Sequence, residues 1–191
     1  MKPILRMVAA SLLVLSQMFS PALAGADKGD VAAAMINEML KDVYNTNKAH
    51  GPAELPTAIM PYFDFDWWTE FLIKSRRKQF TQDQFRQVRQ MMPGYIAHLY
   101  HQRFSDGLDR QPSVQGSRPV SRSVLVETRF YRSSGKLEVK WRVRDRRRRA
   151  QVYDIMVGGI SFVLMTRDEF VAIIDRSGPQ GLISYLESVS Y

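Results

Sequence analysis

From Lys136 to Arg144 charged and apolar residues alternate without a break: Leu137, Val139, Trp141 and Val143 interleave with Lys136, Glu138, Lys140, Arg142 and Arg144. Successive side chains of an extended strand point to opposite faces, so this run buries one face only as a β-strand whose other face meets water. A helix would scatter the same residues around its circumference. The neighbouring segments supply partners for this strand. Val124, Val126, Thr128 and Phe130 alternate with Leu125, Glu127, Arg129 and Tyr131, and Ser133-Ser134-Gly135 makes the turn between the two runs. Gln151 to Val157, with Tyr153, Ile155 and Val157 on one face, predicts a third strand. Gly158-Gly159 interrupts it before a fourth run from Ile160 to Met165. Hairpin-linked strands in this order make an antiparallel meander.

Helices flank the strands. From Asp30 to Tyr44, Val31, Met35, Met39 and Val43 recur every fourth residue with Ile36 and Leu40 beside them, which predicts an amphipathic helix capped by Asp30. Asn45 to Pro56 reads as a connection. The aromatic-dense stretch from Tyr62 to Phe71 predicts a short helix to about Lys74, capped by Asp66, with the rings filling a core. Thr81 and Gln84 form a capping box ahead of a long helix to Phe104, in which Pro93 predicts a kink. Leu108 to Pro119 reads as a loop. After the strands, Thr166 with Glu169 predicts another capped helix, stopped by Ser177-Gly178-Pro179, and Gln180 to Glu187 a last short one. The fold class is α+β: a curved antiparallel sheet of about four strands packed with several helices.

Residues 1–24 combine a basic start, an apolar stretch from Met7 to Phe19 and Ala22-x-Ala24, the grammar of a cleaved secretory signal. The remaining chain, 25–191, reads as one domain in a periplasm. Loss of Lys2 and Arg6 lowers the formal net charge from +8 to +6. Export removes nucleic acid from the partner list. The absence of cysteine excludes disulfides, thiolate catalysis and cysteine-ligated metal. His98 and His101 stand one helical turn apart with no glutamate near them in sequence, so no metal site and no cofactor are expected. Asp64 and Asp66 read as helix-start residues before acid–base catalysts. Arg146, Arg147, Arg148 and Arg149 at a hairpin tip form a cationic knob suited to a membrane surface or an acidic partner, or else a solvated turn.

The run from Val152 to Leu164, followed by Arg167-Asp168-Glu169-Phe170 and Gly181-Leu182-Ile183, resembles the MlaC/toluene-tolerance family. Pro61 to Phe65, the Thr81-x-x-Gln84 helix with Tyr95, and Trp141-Arg142-Val143 agree in order. The resemblance implies a non-enzymatic periplasmic lipid carrier with an apolar cavity between sheet and helices. Such a carrier shuttles phospholipid, or a hopanoid-type lipid in one branch, between an outer-membrane lipoprotein complex and an inner-membrane ABC transporter complex. Burying an acyl chain of about 14 methylenes at ~0.8 kcal/mol each is worth roughly 11 kcal/mol, which favours a closed pocket. Candidate lining residues are Tyr95, Leu99, Val139, Trp141, Val143, Tyr153 and Ile155, with Arg167 placed to meet a phosphate. The chain reads as a monomer with transient membrane contact. Two other classes stay open: a cavity enzyme using Asp64, His98 or Tyr153 on an apolar substrate, and a non-catalytic envelope adaptor.

Overall fold

The computed structural model describes residues 27–107, 110–146 and 149–189. The secretory segment expected at 1–24 lies outside the described residues, as do Arg147 and Arg148 at the arginine-rich tip.

Helix α1 (Lys28–His50) comes first, followed by α2 (Leu55–Ile59), α3 (Phe65–Ile73) and α4 (Gln82–Phe104). Strands β1 (Ser113–Val120), β2 (Ser123–Arg132), β3 (Gly135–Arg146), β4 (Arg149–Val157) and β5 (Ile160–Ser161) follow, and α5 (Phe162–Val189) closes the chain. The strands form one open antiparallel sheet in sequence order. The architecture is the α+β one, with five strands in place of about four.

The alternation in β3 sets the sheet's two faces. Val126 pairs with Trp141, Thr128 with Val139 and Phe130 with Leu137, while Trp141 faces Ile155 on β4. These partners stand side by side on the buried face. The other face carries charge pairs: Lys140 lies 3.0 Å from Glu127, and Arg129 lies 3.7 Å from Glu138. Register shifts at Val114/Gly116 and at Arg142/Val143 bend the sheet.

The extra strand, β1, lies where a loop was expected. Its sequence, Ser-Val-Gln-Gly-Ser-Arg-Pro-Val, has no apolar alternation because it is an edge strand, and its glycine and proline are tolerated there. Helix α1 begins before Asp30: Asp27 stands at its N-cap and Asp30 lies in its first turn. Helix α3 is capped by Asp64, which accepts from the Trp67 backbone N–H at 3.1 Å, and Asp66 follows inside the first turn. The capping box of α4 forms, with Gln84 N–H donating to Thr81 Oγ1 and Thr81 N–H to Gln84 Oε1. Helix α4 continues across Pro93 as one element. Helix α5 starts at Phe162, so Thr166 is buried inside it rather than at its cap. Gly178, at φ 66°, breaks α5 ahead of Pro179, where the sequence places a stop.

Segment 60–64 holds the helices to the sheet. Phe63 is extended and bridges Val152, covering the edge of β4 that β5 leaves open. The Trp68 indole N–H donates to the Val152 carbonyl at 3.3 Å.

Candidate functional site

Helix α4 presents Ile96, Leu99, Tyr100 and Phe104 to the sheet at the three- and four-residue spacing that stacks side chains on one face. Trp141 from β3 and Ile155 from β4 stand opposite, with α1, α3 and the start of α5 closing the sides. These side chains enclose a cavity of about 20 Å³ with an almost wholly apolar lining. That volume is room for about one water molecule. The interior is therefore close-packed, and a longer apolar guest enters only if α4 and the sheet move apart.

Polar groups on the sheet side are satisfied within the sheet. Trp141 Nε1 donates to Thr128 Oγ1 at 2.8 Å, and Thr128 Oγ1 donates to the Val139 carbonyl at 3.0 Å. Tyr100 differs: its hydroxyl is buried without a hydrogen-bond partner among the described residues, and burial holds its pKa above the usual tyrosine range.

The residues singled out from sequence do not gather at one place. Leu99, Trp141 and Ile155 line the cavity. Val139 and Val143 are fully buried on the same face of β3. Tyr95 turns to α5, where its hydroxyl donates to Glu169 Oε2 at 3.2 Å, and Tyr185 donates to Glu169 Oε1 at 2.7 Å. Burial first, then the Glu169 carboxylate, raises the Tyr185 pKa to about 12. Tyr153, at the β4 bulge, meets the Trp67 ring edge-on at 5.6 Å. Arg167 pairs with Asp168 at 2.8 Å and lies over Phe71. Arg149 is exposed beside Asp64, Asp66 and Arg89.

Asp64, Tyr153 and Arg144 form a cluster away from the cavity. The Arg144 guanidinium lies 3.2 Å from Asp64 Oδ2, 4.4 Å from the Trp67 ring centroid and 5.1 Å from that of Tyr153. The Asp64 carboxylate thus caps a helix and pairs with an arginine. His98 and His101 are half-buried on α4. Among the described residues no group of three or more His, Asp or Glu is placed to hold a metal ion. No helix among them is long and apolar enough to cross a membrane.

A second depression, of about 210 Å³, opens next to the cavity and shares Phe104 and Phe162 with it. Leu137, Val157, Ile160 and Met165 line it, with Arg103 and Arg132 at its rim. The two arginines carry no joint signal in the sequence, since one ends a helix and the other ends a strand 29 residues later. Asp154 on β4 meets the start of α5 and is 1% exposed. Its carboxylate accepts from Val163 N–H at 3.2 Å and from Ser161 Oγ at 2.8 Å, and so caps α5 from a neighbouring strand. Burial raises its pKa against the opposing pull of these bonds and of Arg142.

A family profile described as "MlaC protein" matches residues 30–188. No curated protein is a match for the chain. Among solved structures, a phospholipid-binding protein from Ralstonia solanacearum in complex with a phospholipid is similar in fold, with a TM-score of 0.66 and 20% sequence identity. The similarity covers 82% of this chain and 95% of that one.

Proposed function

Because the chain belongs to the MlaC protein family, we propose that it is a non-enzymatic lipid-binding carrier whose acyl-chain site lies between α4 and the sheet. One observation carries this reading most directly: the cavity enclosed by Leu99, Trp141, Ile155 and their neighbours has an almost wholly apolar lining and abuts an apolar opening at the surface. The phospholipid named with the Ralstonia protein of similar fold supports the same ligand class. Leu99, Trp141 and Ile155 contact the chain, with Val139 and Val143 forming the floor behind them. Admission of a chain of ~14 methylenes, worth roughly 11 kcal/mol of burial, drives α4 off the sheet against the packing of a few side chains. Release to water is correspondingly slow, so unloading needs a docked acceptor that offers another apolar path.

In this reading residues 1–24 direct export and are removed, and 25–191 act as one domain in the periplasm. The carrier moves phospholipid, or a hopanoid-type lipid, between an outer-membrane lipoprotein complex and an inner-membrane ABC transporter complex. The arginines from Arg146 to Arg149 contribute to brief membrane or partner encounters.

Native mass spectrometry of the protein purified from a bacterial envelope tests the carrier reading. A stoichiometric phospholipid or hopanoid is the expected result. Leu99→Trp fills the cavity from a half-buried position and should lower the retained fraction several-fold while the protein stays folded. Equal retention by this variant would place the chains elsewhere, and a wild-type protein without lipid would remove the carrier reading.

A further inference from the structure

We propose that Arg103 and Arg132 select lipids of net negative headgroup at the mouth of the acyl site, an inference that rests on the carrier reading. The opening of about 210 Å³ and the interior cavity share Phe104 and Phe162, so these two rings are the partition between surface and interior. Apart from the two arginines, the residues lining the opening are uncharged and apolar.

Both cations are available. Among the described residues neither makes an ion pair. Asp106, the carboxylate nearest in sequence to Arg103, accepts instead from Ser133 Oγ at 2.7 Å. Arg132 donates one NH2 group to the Arg103 carbonyl oxygen, which ties the end of α4 to the end of β2, while its Nε is buried without a hydrogen-bond partner among the described residues. The Arg103 guanidinium is exposed, 5.7 Å from the Phe162 ring centroid. A buried donor without a partner costs free energy that an incoming anion recovers, and guanidinium–phosphate contacts are among the stronger hydrogen bonds.

The surroundings favour a membrane lipid over a water-soluble anion. Ile160 is 61% exposed, Leu164 43% and Met165 38%, and all three sit at the β5–α5 junction beside the opening. An apolar rim beside two cations matches a membrane surface that carries anionic lipid. A phosphate resting on Arg103 and Arg132 sends its acyl chain between Phe104 and Phe162 toward Leu99 and Trp141. A zwitterionic headgroup offers the same phosphate but brings a cation against the two arginines, so the net-anionic lipid binds better.

The test offers the full-length mature protein equimolar vesicles of phosphatidylglycerol and phosphatidylcholine with matched chains, and counts the loaded lipid by native mass spectrometry. Wild type should take phosphatidylglycerol in excess by about tenfold. In Arg103→Gln/Arg132→Gln that ratio should collapse toward one. Arg103→Gln alone, at an exposed position that leaves folding intact, should fall part of the way. Leu99→Trp should lower both lipids together and keep the ratio, which separates the mouth from the cavity. Equal uptake of the two lipids by wild type, or a ratio that survives the glutamine substitutions, overturns the selection while the carrier reading stands. Wild type that loads neither lipid overturns both.

Discussion

Helix α4 is held differently on its two sides. Toward α5, Tyr95 and Tyr185 converge on Glu169, and Phe170 packs its ring 5.2 Å from that of Tyr95. Nearby, Arg76 and Asp175 fasten the turn after α3 to α5 at 2.5 Å. Toward the sheet, the middle turns of α4 meet Trp141 and Ile155 through apolar side chains around a small cavity, and the tie to the sheet comes at the helix end, from Arg132. Directional bonds fix a geometry, whereas apolar contacts only require that area stay out of water. The α5 side is therefore the frame, and in the proposed carrier the sheet side is the seam along which a guest chain enters.

The largest expected effect breaks the frame. Phe170 is fully buried among tyrosines, and Phe170→Ala should cost about 3–5 kcal/mol. Leu99 is half-buried beside an existing void, so Leu99→Ala should cost about 1 kcal/mol. Urea unfolding midpoints at equal slope measure both. Similar losses would mean that the two sides are equally rigid and that the seam is not where α4 meets the sheet.

A middling effect comes from Asp154, which holds the first turn of α5 at the mouth. Asp154→Ala removes the acceptor of Val163 N–H and the partner of Ser161 Oγ, leaving that turn only the Ser161 bond to Leu164 N–H, and should cost about 2 kcal/mol at neutral pH. The carboxyl also shapes the pH profile. Its folded pKa lies above the ordinary aspartate value, chiefly through burial, so between the two values the native state binds more protons than the unfolded chain. Stability then falls as pH rises through that window and levels off above it. Asp154→Asn keeps an acceptor for Val163 N–H and removes the titration, so its profile should lose this slope. A slope unchanged in the amide variant would assign it to another group.

Where a signal is local, the sequence carries it. The alternation of β3, the Thr81–Gln84 box and the break at Gly178 each depend on residues within a few positions, and each stands where the pattern places it. The start of α5 does not: Ser161 Oγ accepts from Leu164 N–H and Asp154 on β4 accepts from Val163 N–H, so the helix begins at Phe162, inside a run whose apolar residues read as strand. Strand β1 was illegible because an edge strand packed on one side needs no apolar alternation. The candidate site was half legible for a related reason. The inward placing of Leu99, Trp141 and Ile155 follows from periodicity, but Tyr95 shares the helix of Leu99 and faces the other layer, which only the packing of α5 decides. Arg103 and Arg132 meet through the return of the chain, which no spacing rule encodes.

The smallest expected effect probes the seam at Tyr100. Its ring packs against Phe104 at 4.9 Å and Phe130 at 6.2 Å, contacts that phenylalanine would keep. Its hydroxyl lies buried with no partner among the described residues, and burial raises its pKa, as expected of a group surrounded by apolar atoms. Tyr100→Phe should therefore stabilise the lipid-free protein by about 1 kcal/mol, read as a rise of a few degrees in Tm. A lipid threaded past Phe104 brings an ester oxygen along the same helix face, one turn from Tyr100, where it can accept from that hydroxyl. With lipid loaded, the gain from Tyr100→Phe should shrink or reverse. A variant that is less stable without lipid would mean that the hydroxyl already has a partner and that this side of α4 is held by direction as well as by area.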